Sequence, residues 1–206
     1  MTSMTSPMLA ALATFCFVSS ITPGPNNMML LASGANFGFT RTVPHLLGVT
    51  IGFGLMVLAI GFGVGGVFVT YPALYTALRV AGTLYLLWLA WRIATADGIG
   101  ERKASTRPMT FLEAAAFQWV NPKAWAMALS GITAFAAQDN FVFGVLSVAA
   151  VFTAINLPCV ASWAGFGTLL QRMLTQPWRL RAFNVTMALL LVASIYPMMK
   201  DLAATA

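Results

Sequence analysis

Charge is scarce in this sequence. Of its 206 residues only 8% are Asp, Glu, Lys or Arg, and just five are acids. A soluble domain carries about a quarter charged residues, so the shortage excludes an ordinary water-facing surface. One histidine and two cysteines are too few for a metal cluster or a catalytic constellation, and no cofactor or metal is expected. Cys16 and Cys159 lie far apart in separate apolar runs. They are expected as small buried hydrophobes, not as a disulfide or a metal pair. The opening MTSMTSPMLAALATF has no basic n-region, so Met8–Ile21 is expected to belong to the mature first helix.

What the sequence does have is apolar length. Hydrophobic residues make up 59%, and neither Leu46–Val69 nor Phe141–Gln171 contains a charge. Such runs match the roughly 20 residues that cross a bilayer core. The expected fold is an all-α integral membrane protein, one transmembrane domain over 1–206. Six segments are read at about 7–35, 45–70, 73–95, 111–137, 141–170 and 182–199. Gly48 with Gly52 and Gly61 with Gly65 stand at four-residue spacings in the second, a pattern that lets helix backbones approach.

Basic residues set the orientation. With the N-terminus outside, the inside loops hold Arg41, Arg92, Arg102, Lys103, Arg107, Arg172, Arg179 and Arg181, eight of the eleven. Arg79 and Lys200 fall on the other side, and Lys123 inside a span. The loop 96–110 is therefore expected in the cytoplasm. A net charge of +6 then reflects topology and implies no nucleic-acid partner. A re-entrant first segment would reverse the position of the N-terminus.

A repeat lies under this layout. The shift that puts Pro25 on Pro122 also puts Ser33 on Ser130 and Gly34 on Gly131. The halves, about 7–95 and 111–200, hold three segments each, so they insert upside down relative to each other. Six helices in two inverted three-helix repeats, each with a broken first helix, form a secondary-transporter layout.

The chemistry is expected at the breaks. Pro23, Gly24 and Pro25 interrupt the first segment, and a half-helix starting near Asn26 would present unpaired N–H groups to an anion such as a carboxylate. Asn26 and Asn27 add side-chain donors and acceptors. The bland reading is a Pro-kinked helix whose asparagines bond a neighbour. In the second half, Asn121 and Pro122 precede Lys123, about 14 Å into its segment by helical rise. A charge at that depth costs on the order of 3 kcal/mol or more. Its expected companion is a substrate carboxylate or an Asn such as Asn26, snorkelling being the alternative. Asn156 is central and uncharged, suited to substrate contact or helix packing. His45 is expected as an interfacial residue.

TPGPNN at 22–27 and NPKAW at 121–125, with ASGANFGFTRT at 32–42 and AGTLYLLWLAWRIA at 81–94, resemble the LysE/RhtB family of bacterial amino-acid exporters. Within it, the doubled asparagine and LWLAWRIA look closest to the cysteine/O-acetylserine and neutral amino-acid exporters. The resemblance implies proton-driven efflux through the inner membrane, with an amino acid, protons and the lipid bilayer as partners; a homodimer is compatible with it. Carried over, Pro23, Gly24, Pro25 and Asn26 match one motif, and Asn121, Pro122 and Lys123 the other. Asp97, Glu101, Glu113, Asp139 and Asp201 all sit in loops or at segment ends, so lysine and arginine are disfavoured as cargo. His45 and Lys123 are the proton-carrier candidates. A passive channel or structural subunit is the competing reading, and a membrane enzyme lacks the residues.

Overall fold

The computed structural model describes residues 4–64, 66, 70–95, 107–136 and 140–204. Among these there is no strand, and there are eight α-helices: α1 (Ser6–Ile21), α2 (Pro25–Phe37), α3 (Phe39–Ala59), α4 (Pro72–Ala94), α5 (Phe111–Phe117), α6 (Pro122–Phe135), α7 (Phe141–Gln171) and α8 (Pro177–Ala204). Gly65, Asp97, Glu101, Arg102, Lys103, Asp139 and most of the 96–110 loop lie outside the described residues, as do the side chains of Arg79, Lys200 and Asp201.

Phe39–Val64 and Phe141–Gln171 are each long and apolar enough to cross a bilayer, and α1 with α2 qualifies as a pair bent by 55°. This is a helical membrane protein. Helix starts follow ordinary chemistry: α2, α4, α6 and α8 all open on proline, whose missing N–H costs nothing in a first turn. Thr110 and Glu113 close a reciprocal capping box on α5. Past Ala59 the α3 spiral widens, and Gly63 takes φ +117°, a conformation that favours glycine. Pro158 does not interrupt α7.

The bent pair follows α7 along its length. Phe15 stands edge-on to Phe152, Asn156 Nδ2 donates to Ser20 Oγ, and Trp163 Nε1 donates to the Ile21 carbonyl. Further on, Thr168 Oγ1 donates to the Gly34 carbonyl at 3.4 Å. The paired residue numbers rise together, so α1 and α2 make one pass beside α7 in the same direction.

Small residues permit that closeness. A Cβ on Gly34 would collide with the Ala164 carbonyl, and one on Gly167 with the Leu31 carbonyl. Gly48 and Gly52 of α3 meet Phe111, Ala114 and Ala115 on α5 in the same way, and Gly61 meets Val145 of α7. Close backbone approach replaces the hydrophobic drive that lipid cannot supply. A buried and a half-buried asparagine tie α2 to α8: Asn36 Nδ2 donates to Asn184 Oδ1 at 2.9 Å, and Asn184 Nδ2 returns the bond at 3.3 Å. The ends of α2 and α4 and the starts of α3, α5 and α8 thus gather at one end of the molecule, with Arg41, Arg92, Arg107 and Arg179 among them.

Candidate functional site

Breaking a helix at residues 22–24 strands the last carbonyls of α1, and each must find a donor. The structure supplies them individually. Val18 and Ser19 carbonyls accept from the backbone N–H and the hydroxyl of Thr22. Asn27 Nδ2 donates to Ser20 at 2.9 Å and to Thr22 at 2.7 Å, and Trp163 serves Ile21. Asn27 is therefore a buried clasp across the first break, with 3% exposure.

The remaining donor comes from the other half of the chain. Lys123 Nζ donates to the Thr22 carbonyl at 2.7 Å, to Thr22 Oγ1 at 3.0 Å and to the Pro23 carbonyl at 3.3 Å. The ammonium thus sits at the negative end of α1, where the helix dipole favours a cation. The sequence pointed to a substrate carboxylate or Asn26 as its companion. Within the protein its partners are not Asn26 but neutral carbonyls and a hydroxyl at the facing break, because these are the acceptors a broken helix leaves over. Lys123 is half-buried. Gly24 lies beneath it: a Cβ there would stand 2.7 Å from Lys123 Cδ and 3.1 Å from Nζ. Its backbone is extended, φ 177°, so glycine is needed here for space, not for conformation.

The two half-helix starts differ. At α6, Asn121 Oδ1 accepts from the Lys123 N–H at 3.1 Å, so that start is closed by its own cap. At α2 no side chain caps the first turn. Asn26 pairs across the repeat with Gln118, giving at 2.8 Å and receiving at 3.2 Å. Gln118 is completely buried. It carried no assigned role in the sequence; an amide inside a hydrophobic segment, three residues before Asn121, was the available signal.

These residues enclose one small cavity, lined by Gly24, Asn26, Asn27, Asn121, Lys123 and Asn156 among others. It leaves about 20 Å³ open to the centre of a water molecule, room for about one water. Pro23, Pro25 and Pro122 stand at the breaks and are not among the lining residues. Asn156 gives one bond to Ser20 Oγ, and its buried Oδ1 has no partner among the described residues. Lys123 is the sole charged side chain on the lining. Cys16 and Cys159 are buried free thiols. No group of three His, Cys, Asp or Glu that could hold a metal occurs among the described residues.

His45 stands apart from this site. Instead of lying exposed at an interface it is buried in α3, 2% exposed, with neither ring nitrogen bonded. The reason is steric: it lies nearly two turns into α3 on the face that α5 covers, alongside Leu46 and Val49.

Two interrupted helices that meet break to break around an ammonium define a helical membrane protein of the transporter class. Residues 17–194 match the family described as LysE type translocator, and the chain belongs to that family. It is a transporter, not an enzyme. Proteins named cysteine/O-acetylserine efflux protein, from Escherichia coli and Shigella sonnei, are 34% identical to it over 194 residues, covering 92% of this chain and 96% of theirs. No solved structure matches it.

Proposed function

We propose that this chain exports small neutral amino acids or their derivatives, of the cysteine/O-acetylserine kind, across the bacterial inner membrane in exchange for protons. The observation that carries this reading is the Lys123 ammonium held by replaceable neutral acceptors at the opposite break. A carboxylate makes stronger, charge-assisted bonds than a carbonyl does, so the substrate carboxylate displaces Thr22 and Pro23 from Lys123. Asn156 Oδ1 is available to accept from the substrate ammonium. With no acid on the cavity lining, a cationic side chain finds no counterion there, which favours neutral cargo. The relatives named for cysteine and O-acetylserine efflux support the substrate class.

In this reading the six segments are spans arranged as two inverted repeats, about 7–95 and 111–200, joined by a cytoplasmic loop at 96–110. Opposed running directions at the two breaks support it. Pro23, Gly24, Pro25, Asn26, Asn27, Asn121, Pro122, Lys123 and Asn156 form the substrate site. Alternating access opens the small cavity to one side at a time as the halves rock.

Reconstituted protein tests it. Labelled cysteine or O-acetylserine should move faster into proteoliposomes carrying an imposed pH gradient than into those without one. Flux that follows the solute gradient alone would assign the chain to the passive channels.

A sharper local test is Gly24→Ala. The extended backbone accepts any residue, so folding and abundance should match wild type. The new methyl group occupies the space of the Lys123 stem and shifts the ammonium, so efflux should fall about tenfold, the equivalent of one charge-assisted hydrogen bond. Unchanged efflux would mean that the ammonium position is immaterial.

A further inference from the structure

A second pocket lies about two helical turns along α2 from the break, toward the end of the molecule where the arginines gather. It leaves about 120 Å³ open to water centres, against about 20 Å³ at the break. At about 30 Å³ per liquid water that is room for several waters, where the cavity at the break holds about one. Its walls come from α2, the last turns of α4 and the corner before α5, with Met29, Leu89 and Ile93 supplying apolar surface. Mostly apolar walls with a few convergent polar groups are typical of small-molecule sites.

The polar groups are placed at its two ends. At the rim, Arg107 grips Glu113 through two bonds of 2.8 and 2.7 Å, and both side chains remain about half exposed, 58% and 44%. Beside them the Arg92 guanidinium stacks on Trp88 at 5.0 Å. At the inner end is His45, almost fully buried, with both ring nitrogens unpartnered among the described residues. Ser33, which also lines the pocket, is already committed to Thr42 at 2.9 Å. Burying an imidazole without a hydrogen bond is costly, and such orphans call for a physical reason. A ligand in the pocket would supply one.

We propose that this pocket is a loading vestibule that takes the amino-acid zwitterion from the side of the basic loop, before the ligand reaches Lys123. Arg92 and Arg107, whose charge Glu113 offsets only in part, draw its carboxylate to the mouth, and the His45 imidazole accepts from its ammonium at the inner end. Between the two sites on α2 stand Met29, packed in one apolar cluster with Phe117, and the Asn26–Gln118 amide pair. These must part for the ligand to advance. The inference rests on the exporter reading and adds to it a second binding site and a direction of loading.

Everted vesicles, whose outer face is the cytoplasmic one, test it with labelled O-acetyl-L-serine. His45→Gln keeps polarity and approximate size but removes the ring. It should raise KM for uptake about tenfold and leave the maximal rate within about twofold at matched protein level. Independently, Met109→Cys places a thiol on the half-buried rim. A membrane-impermeant thiol reagent should then block uptake in everted vesicles, excess substrate should slow that block, and wild type, whose own thiols are buried, should be unaffected. An unchanged KM in His45→Gln, or complete labelling of Met109→Cys without loss of uptake, overturns the vestibule. Absence of uptake by the unmodified chain overturns the exporter reading itself, a result neither pocket variant can imitate.

Discussion

Export by Lys123→Met is expected to fall by at least about tenfold while the amount of protein in the membrane stays at the wild-type level. Methionine keeps the side-chain length and removes the charge, so the desolvation cost of a membrane-embedded ammonium disappears along with its bonds. Those two losses oppose each other in the folding balance. The acceptors left behind are not stranded: the Thr22 carbonyl keeps Asn27 Nδ2 at 2.7 Å, and Pro23 is an exposed residue. Transport has no such compensation, since no other charged side chain lines the cavity. A hydrogen bond to a charged group contributes about 1.5–3 kcal/mol, which is roughly tenfold to a hundredfold in binding. Lys123→Arg should recover only part of the activity, because a planar guanidinium cannot converge on Thr22 and Pro23 as an ammonium does. Efflux of labelled substrate from preloaded cells at matched protein levels is the measurement. Wild-type efflux by the Met variant would take Lys123 out of the mechanism.

Much of the helical layout could be read from the chain because bilayer physics is written in composition. A charge-free run such as Phe141–Gln171 admits few other structures, and it is a single helix of those bounds. The break after Ile21 was equally legible, since Pro23, Gly24 and Pro25 cannot all continue a helix. The second break was harder to delimit: Pro122 marks where α6 starts, but nothing local announces the tight turn Gln118–Val120 before it. Pro158 is a lone proline in an apolar run, without the second proline and the glycine that accompany Pro25, and it leaves α7 whole. The packing of α2 against α7 around Gly34 and Gly167 then holds the first bend in place.

Site residues divide along a similar line. Lys123 and Asn27 were conspicuous as polar groups where polarity is expensive. Their partners were not, because Thr22 and Pro23 contribute backbone carbonyls, and any residue type has one. Sequence reading is blind to acceptors that a break creates. His45 illustrates a different gap. As the only histidine, near a segment start, it looked interfacial, and just the three-dimensional approach of α5 buries it beside Glu113 in the second pocket.

Replacing Pro23, Gly24 and Pro25 together with alanine should abolish export and also weaken the fold. Against alanine, an interior proline disfavours helix by about 3 kcal/mol and glycine by about 1 kcal/mol, so the triple change removes roughly 7 kcal/mol of resistance to a continuous helix. Straightening would draw the carbonyls of positions 22 and 23 into bonds with the N–H groups of Asn26 and Asn27, taking them from Lys123 and from the Asn27 clasp. It would also erase the 55° bend. For α2, roughly 20 Å long by helical rise, that swings the far end by about 18 Å, away from the seats of Gly34 and Gly167 on α7. The two demands cannot both be met. The chain keeps its apolar composition, so insertion should be normal, but detergent-extracted protein should melt several degrees below wild type and efflux should drop to background. Gly24→Ala alone disturbs only the ammonium and should melt with wild type, which separates the two effects. Full export by the triple variant at wild-type melting temperature would show that the interruption is a bend in a packed helix and that the carbonyls it exposes take no part in transport.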